Sequence, residues 1–293
     1  MNIQKVFIVG SGLMGSGICQ VCAQAGLEAI IYDLNQEAVD KAIKSISWSA
    51  GKLIEKGKVE GSLEEVMGRI SSADSFAQAA EADLVMEVVF ENIEVKREVF
   101  AQINEHARKD ALVASNTSAI PITELAASVD NPARFLGLHF FSPVPMMQAV
   151  EVIRGMATSQ ETFQSGAEFV SAIGKEPILV NRDVAGFVIN RINFPSTMEA
   201  MRLVEQGVAS VEDIDKGLRL ASGRKMGIFE TGDMVGLDVT YGAMMAMYQE
   251  TGEERWYPPL MLRRKVKAGQ LGRKTGIGWY RYDADGSRLG PAD

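Results

Sequence analysis

Two residues carry the clearest chemical signal. His139 lies in Gly-Leu-His-Phe-Phe-Ser-Pro-Val-Pro, at the end of an apolar run. Glu151 lies twelve positions on, inside the otherwise apolar Ala-Val-Glu-Val-Ile. A histidine in a stiff, partly dry loop can be tuned as a general base. A carboxylate in an apolar strand needs a partner. The two segments are joined by a proline-rich turn, so they can run side by side, and Glu151 would then fix the imidazole tautomer and stabilise its charged form. Spacing alone leaves a second possibility open: a core histidine bonded to backbone, with Glu151 at a surface edge. The other histidine, His106, sits in a polar stretch and reads as surface.

A second chemical feature opens the chain. Lys5–Gly10 is a short β-branched run that reads as a buried strand. Gly10-Ser-Gly12-Leu13-Met14-Gly15 follows, then a helical stretch Ser16–Ala25, a second strand Glu28–Tyr32, and Asp33. Gly10 permits the tight turn. Gly12 lets backbone approach a pyrophosphate, and Gly15 lets helix and strand pack closely. The helix N-terminus presents N–H groups to phosphate. Asp33 suits ribose hydroxyls and repels a 2′-phosphate. With no Lys or Arg in Leu34–Ala38, the pattern points to NAD rather than NADP. Cys19 and Cys22, inside this helix, match C-x-x-C but have no second pair or nearby histidine. They read as packing residues, and no metal site is expected.

These groups need a scaffold. Leu84–Phe90, Ala111–Ser115, Phe135–Phe141, Ala149–Ile153 and Pro177–Val180 read as further strands. Ile93–Ala107, Ile122–Val129 and a helix running to about Ile173 lie among them, the last opened by a capping box at Thr158–Glu161. Alternation of this kind predicts a doubly wound parallel sheet of Rossmann type. Gln36–Met67 reads as an inserted helical hairpin, with a capping box at Ser62–Glu65. Its Lys52, Lys56 and Lys58 are either a solvated face or contacts to an acidic ligand. Beyond about residue 184 the pattern turns to long helices: Phe187–Glu205, Val211–Ala221, Leu237–Glu250 and Leu260–Ala268. The expected division is therefore residues 1–184, an α/β dinucleotide-binding domain, and 185–293, an all-α domain.

Composition narrows the function. The chain has 293 residues, 46% of them hydrophobic and 23% charged, as in a folded globular protein. A net charge of −8 argues against a nucleic-acid binder. No apolar run reaches membrane-spanning length. Two cysteines make no disulfide framework, and the N-terminus reads as leaderless. The expected setting is the cytoplasm.

Ser115-Asn-Thr-Ser118, Glu91-Asn92 and Lys96 are polar groups at strand ends. They either satisfy local backbone or face a ligand. Taken together, the motifs resemble the 3-hydroxyacyl-CoA dehydrogenase family, in its short bacterial 3-hydroxybutyryl-CoA form, over nearly the whole chain. Gly10–Gly15 with Asp33, Val88-Val-Phe-Glu91-Asn with Lys96, Ser115–Ser118 and the His139–Glu151 segment follow the family order. So do Asp183–Arg191, Gly232–Asp238 and Gly272–Tyr280.

The resemblance implies NAD-dependent oxidation of (S)-3-hydroxyacyl-CoA to 3-oxoacyl-CoA, a step of fatty-acid β-oxidation. It implies His139 as base, Glu151 as its partner, and Ser118 and Asn190 around the reacting oxygen. Glu91, Lys96, Ser118, Ser142 and Lys274 take positions that line the cofactor, and the hairpin lysines become candidates for the CoA phosphates. It also implies a homodimer through the C-terminal domain, consistent with the apolar run Met244–Tyr248, which core packing explains equally. The alternatives are a dehydrogenase of a non-CoA 3-hydroxy acid and a non-catalytic NADH-binding relative. The chain departs from the family at Ser142, usually Asn, and at Ala185 and Ile228, usually Pro. These changes bear on substrate more than on reaction.

Overall fold

The computed structural model describes residues 3–292. Met1 and Asn2, on which the expectation of a leaderless N-terminus begins, lie outside the described residues, as does Asp293. The chain divides into two compact units, 1–184 and 185–293.

The first unit is built on one eight-stranded sheet. It begins β1 (Lys5–Val9), α1 (Leu13–Gln24), β2 (Glu28–Tyr32). The inserted hairpin follows as α2 (Gln36–Glu55) and α3 (Leu63–Gly68), then β3 (Ile70–Ser72). Next come β4 (Leu84–Glu87), α4 (Ile93–His106), β5 (Leu112–Ser115), α5 (Ile122–Ala126) and β6 (Phe135–Phe140). The unit closes with β7 (Ala149–Ile153), α6 (Gln160–Ala172) and β8 (Glu176–Val180). The sheet order is β3-β2-β1-β4-β5-β6-β7-β8.

β1 to β6 are mutually parallel, so their C-terminal ends share one edge. β4, β5 and β6 are buried along their whole length, as a sheet covered on both faces requires. The doubly wound parallel sheet has one antiparallel step. β7 pairs antiparallel with β6, and β8 runs parallel to β7. The connection 141–148 is too short for a parallel crossover, which takes about a dozen residues or more. β3 escapes a sequence reading because it is three residues, Ile-Ser-Ser, with no apolar pattern.

Helix starts show the same local control. Ser62 and Glu65 form the expected capping box of α3. At α6 the expected cap moves by one residue. Ser159 accepts from Thr162 N, while Thr158 is buried and its hydroxyl donates to the Phe135 carbonyl. Cys19 and Cys22 are free and fully buried, and burial pushes the Cys19 thiol up to about 12.

The second unit comprises α7 (Ile189–Glu205), α8 (Val211–Ser222), α9 (Ile228–Val235), α10 (Leu237–Thr251) and α11 (Leu260–Lys267). It is helical but not all-α. β9 (Tyr280–Tyr282) and β10 (Arg288–Pro291) form an antiparallel hairpin. Met198, Met201, Phe229, Met244, Leu262 and Trp279 form its core. Two buried aspartates fasten it. Asp233 accepts from Trp279 N, Tyr280 N and the Tyr282 hydroxyl. Asp215 accepts from Phe229 N, Glu230 N and the Tyr280 hydroxyl. Met244 and Met247 are fully buried inside this unit, so that part of the 244–248 run is core. No helix among the described residues is long and apolar enough to cross a membrane.

Candidate active site

The C-terminal edge of the parallel strands gathers the predicted groups of the first unit. Gly10 follows β1 with φ +111°, a conformation that favours glycine. A Cβ on Gly15 would collide with the Gly10 carbonyl, whereas one on Gly12 would meet nothing within 4 Å. Gly12 caps α1 without a side-chain hydrogen bond, and the first turn carries no acid. Backbone N–H groups at Leu13 and Met14 thus open onto a space suited to pyrophosphate. Asp33, after β2, accepts from Ser11 N at 2.9 Å and Ser11 Oγ at 2.8 Å. Burial works to raise its pKa, but the hydrogen bonds from Ser11, Asn35 and Leu34 outweigh it and hold the carboxyl below its ordinary range. Leu13, Leu34 and Phe90 stand 73%, 93% and 84% exposed along this edge, apolar surface that a dinucleotide would cover. The residues present fit NAD. Gly15→Ala is expected to cost roughly 1–3 kcal/mol of packing strain. NADH affinity should fall roughly tenfold or more, read by titration calorimetry with thermal unfolding alongside.

His139 and Glu151 face each other across the β6–β7 ladder. His139 Nδ1 lies 2.7 Å from Glu151 Oε2, with the side chains 7% and 0% exposed. Glu151 therefore sits in the core, not at a surface edge. Phe141 packs against the imidazole with ring centroids 4.6 Å apart. Asn116 Oδ1 accepts from Phe140 N, clipping the end of β5 to the strand that carries His139. Lys175, itself buried, donates to the carbonyls of Val144 and Met147. It ties down the turn between the two partners, and burial pushes its pKa down. Ser142 lies half-buried in that turn.

The ends of β4 and β5 hold a denser network. Lys96 is 1% exposed and reaches Glu87 at 2.7 Å and Glu91 at 3.2 Å. Glu87, fully buried, also accepts from Val89 N and the Ser115 hydroxyl. Glu91 accepts from the Thr117 hydroxyl, Ser118 N and Ala119 N. Burial opposes the charge on both Glu91 and Lys96. The carboxylates nevertheless raise the pKa of Lys96, and Lys96 with the Thr117 and Ser118 donors lowers that of Glu91. Glu87 was not among the predicted residues. Its signal was present: an acid inside the apolar Leu-Val-Met-Glu-Val-Val-Phe, the same signal that singles out Glu151.

The remaining candidates stand elsewhere. Asn190 is in the first turn of α7, and Lys274 pairs with Asp238 at 2.7 Å, both in the second unit. Lys52 pairs with Glu55 at 2.8 Å on α2. Lys56 and Lys58, past the helix end, have no ion-pair partner among the described residues.

Residues 5–184 match the NAD-binding domain of 3-hydroxyacyl-CoA dehydrogenase, and residues 186–282 its C-terminal domain. A probable 3-hydroxybutyryl-CoA dehydrogenase of Deinococcus radiodurans is 42% identical over 278 residues, covering 95% of this chain and all of the relative. The crystal structure of Mycobacterium tuberculosis FadB2 superposes with a TM-score of 0.92 at 37% identity, covering 97% of this chain and all of that one. The (S)-3-hydroxybutyryl-CoA dehydrogenase PaaH1 of Ralstonia eutropha gives 0.90 at 38%, covering 96% and 100%. Both halves of the chain thus carry the family's sequence and the first unit carries its dinucleotide turn: the chain belongs to the 3-hydroxyacyl-CoA dehydrogenase family and is an NAD-dependent oxidoreductase.

Proposed function

We propose that this chain interconverts (S)-3-hydroxyacyl-CoA and 3-oxoacyl-CoA, with His139 as the proton-transfer residue. The observation that carries the reading is the buried His139–Glu151 pair at the edge where the dinucleotide turn lies. The names of the similar proteins, 3-hydroxybutyryl-CoA dehydrogenases, support the substrate class. NAD, when bound, would supply the acceptor for the hydride of C3. His139 takes the proton of the 3-hydroxyl. With Nδ1 engaged by Glu151, Nε2 is the nitrogen assigned to that proton, and the Glu151 carboxylate stabilises the imidazolium that forms. Ser118 and Asn190 are assigned to the reacting oxygen, as the resemblance implies. Glu91, which accepts from both Ser118 N and Thr117 Oγ1, orients the Ser118 segment. Glu91 and Lys96, with Ser142 and Lys274, are assigned to the cofactor side, and Lys52, Lys56 and Lys58 to the CoA phosphates.

The reading includes a homodimer formed through the second unit. A sedimentation mass near twice 31.8 kDa would support this, and a concentration-independent monomer would end it. Two buried free thiols fit a reducing cytoplasm.

The test is NADH oxidation with acetoacetyl-CoA, a longer 3-oxoacyl-CoA, and NADPH as the alternative donor. Turnover with NADH is expected to exceed that with NADPH, since the Asp33 carboxylate repels a 2′-phosphate. Failure on every CoA ester by a protein that binds NADH would move the reading to a non-CoA 3-hydroxy acid.

A further inference from the structure

The turn between His139 and Glu151 spans residues 141–148, from the end of β6 to the start of β7. Its first residue is two positions from His139 and its last is three from Glu151, so movement of the turn moves both partners. Within it, Met146 N and Met147 N donate to the Pro143 carbonyl. Val144 is the one buried residue of the stretch.

Two contacts hold Val144. Its side chain lies against α1 at Gly17, where a Cβ would stand 2.8 Å from Val144 Cβ. Gly17 is one helical turn beyond Leu13, at the end of α1 that faces the dinucleotide space. The Val144 carbonyl accepts from Lys175 Nζ at 2.9 Å, and the Met147 carbonyl accepts from the same ammonium at 2.8 Å. An ammonium carries three donors, so one group spans both carbonyls. Local structure delivers it there. After α6, Gly174 turns the chain at φ +71°, and Lys175 N donates to the Val170 carbonyl just before β8 begins.

Lys175 is 6% exposed and has no ion-pair partner among the described residues. A buried ammonium without a carboxylate carries a desolvation cost that a neutral donor would avoid. Stability alone is therefore a poor reason for a lysine here. What the charge supplies is a strong hold on the turn at two points.

We infer that Lys175 is a positioning residue: together with the Gly17–Val144 contact, it sets the 141–148 turn, and so the His139–Glu151 pair, against the helix that receives the dinucleotide. The inference rests on the proton-transfer reading above. Hydride and proton leave the same carbon centre toward groups held by different elements, so the spacing of those elements decides the rate, and a displacement of about 1 Å can cost roughly 10²-fold.

The test is Lys175→Met, which keeps the apolar stem and removes the donors. In single-turnover stopped flow with NADH and acetoacetyl-CoA, the rate constant for NADH consumption is expected to fall roughly 10- to 100-fold at full amplitude, with NADH affinity within about twofold of wild type. In the ligand-free protein, hydrogen exchange of the 141–148 amides is expected to quicken by about tenfold or more. Gly17→Ala displaces Val144 with Lys175 intact and is expected to lower the same rate constant. A merely structural role would reduce the amplitude, which counts folded sites, and leave the rate constant alone. That result, or unchanged exchange in Lys175→Met, would overturn the assignment. Should Lys175→Met fail to fold, Gly17→Ala decides, and an unchanged rate constant there overturns it. Failure of the proton-transfer reading is a separate result: His139→Gln keeps the wild-type rate constant, whatever the exchange of the turn shows.

Discussion

His139→Gln is expected to lower kcat by about 10²–10⁴-fold, the usual worth of a positioned general base, while NADH still binds. The residues that fit the dinucleotide, Gly10–Gly15 and Asp33, lie between β1 and the start of α1 and just after β2, whereas His139 stands on β6. Glutamine approximates the size of imidazole and keeps a polar group opposite Glu151 but cannot accept the proton. Glu151→Gln is the companion variant. It retains a hydrogen-bonding side chain opposite His139 in the ladder and removes the charge that stabilises an imidazolium, so at least about a tenfold loss is expected. Steady-state NADH oxidation gives kcat, and quenching of NADH emission gives binding. Near-normal kcat in His139→Gln would remove it from the proton path.

Lys96→Met should strongly destabilise the first unit. The ammonium is 1% exposed and holds two carboxylates, one of them fully buried. Its removal leaves Glu87 charged and unneutralised in the core, which costs about 3–5 kcal/mol. In a unit of this size that lowers Tm by roughly 6–20 °C. The pH dependence follows from the shifts. Glu91 titrates below its ordinary value of 4.5 in the folded chain, so its contribution is complete above that pH and is lost as pH falls through the folded pKa. Lys96 titrates above 10.5, so its contribution is complete below that pH and is lost as pH rises through the folded pKa. Wild-type stability from this network should therefore be level between these limits. The cost of Lys96→Met should be largest near neutrality and narrow in acid, where Glu91 takes up a proton. Urea unfolding at neutral and acidic pH measures both. A cost under about 1 kcal/mol, or one independent of pH, would show that the network contributes little.

Lys96 matters to function through the same contacts. Glu91 accepts from the Ser118 amide while also meeting Lys96. Losing the lysine should therefore disturb the Ser118 segment as well as stability. Kinetics on the folded fraction, compared with His139→Gln, separates the two effects: a KM change accompanies the loss of positioning, and kcat alone falls with the loss of the base.

The opening of the chain was legible from residue order alone. Strand, glycine turn, helix, strand and acid are set by interactions within a few positions: β-branched alternation, a glycine at φ +111°, and an uncapped helix start. The capping box of α3 is local in the same way. Motif order along both halves carried the family, because each motif is a short segment whose residues act together.

Where one side chain must find another far away, the tertiary structure decided. Spacing could not choose between a paired and a core-bonded His139; the antiparallel register of β6 and β7 sets it opposite Glu151. Glu87 and Ser115 are 28 positions apart, and only the parallel pairing of β4 with β5 brings them together. Asp233 meets Trp279 and Tyr280 over more than 40 positions, closing a hairpin that no periodicity announced. The reversal at β7 came from a turn too short for a crossover. Local signals reside in backbone geometry and hydrogen bonds within one or two turns. Partnership between buried charges resides in the packing, and a linear order of residues does not contain it.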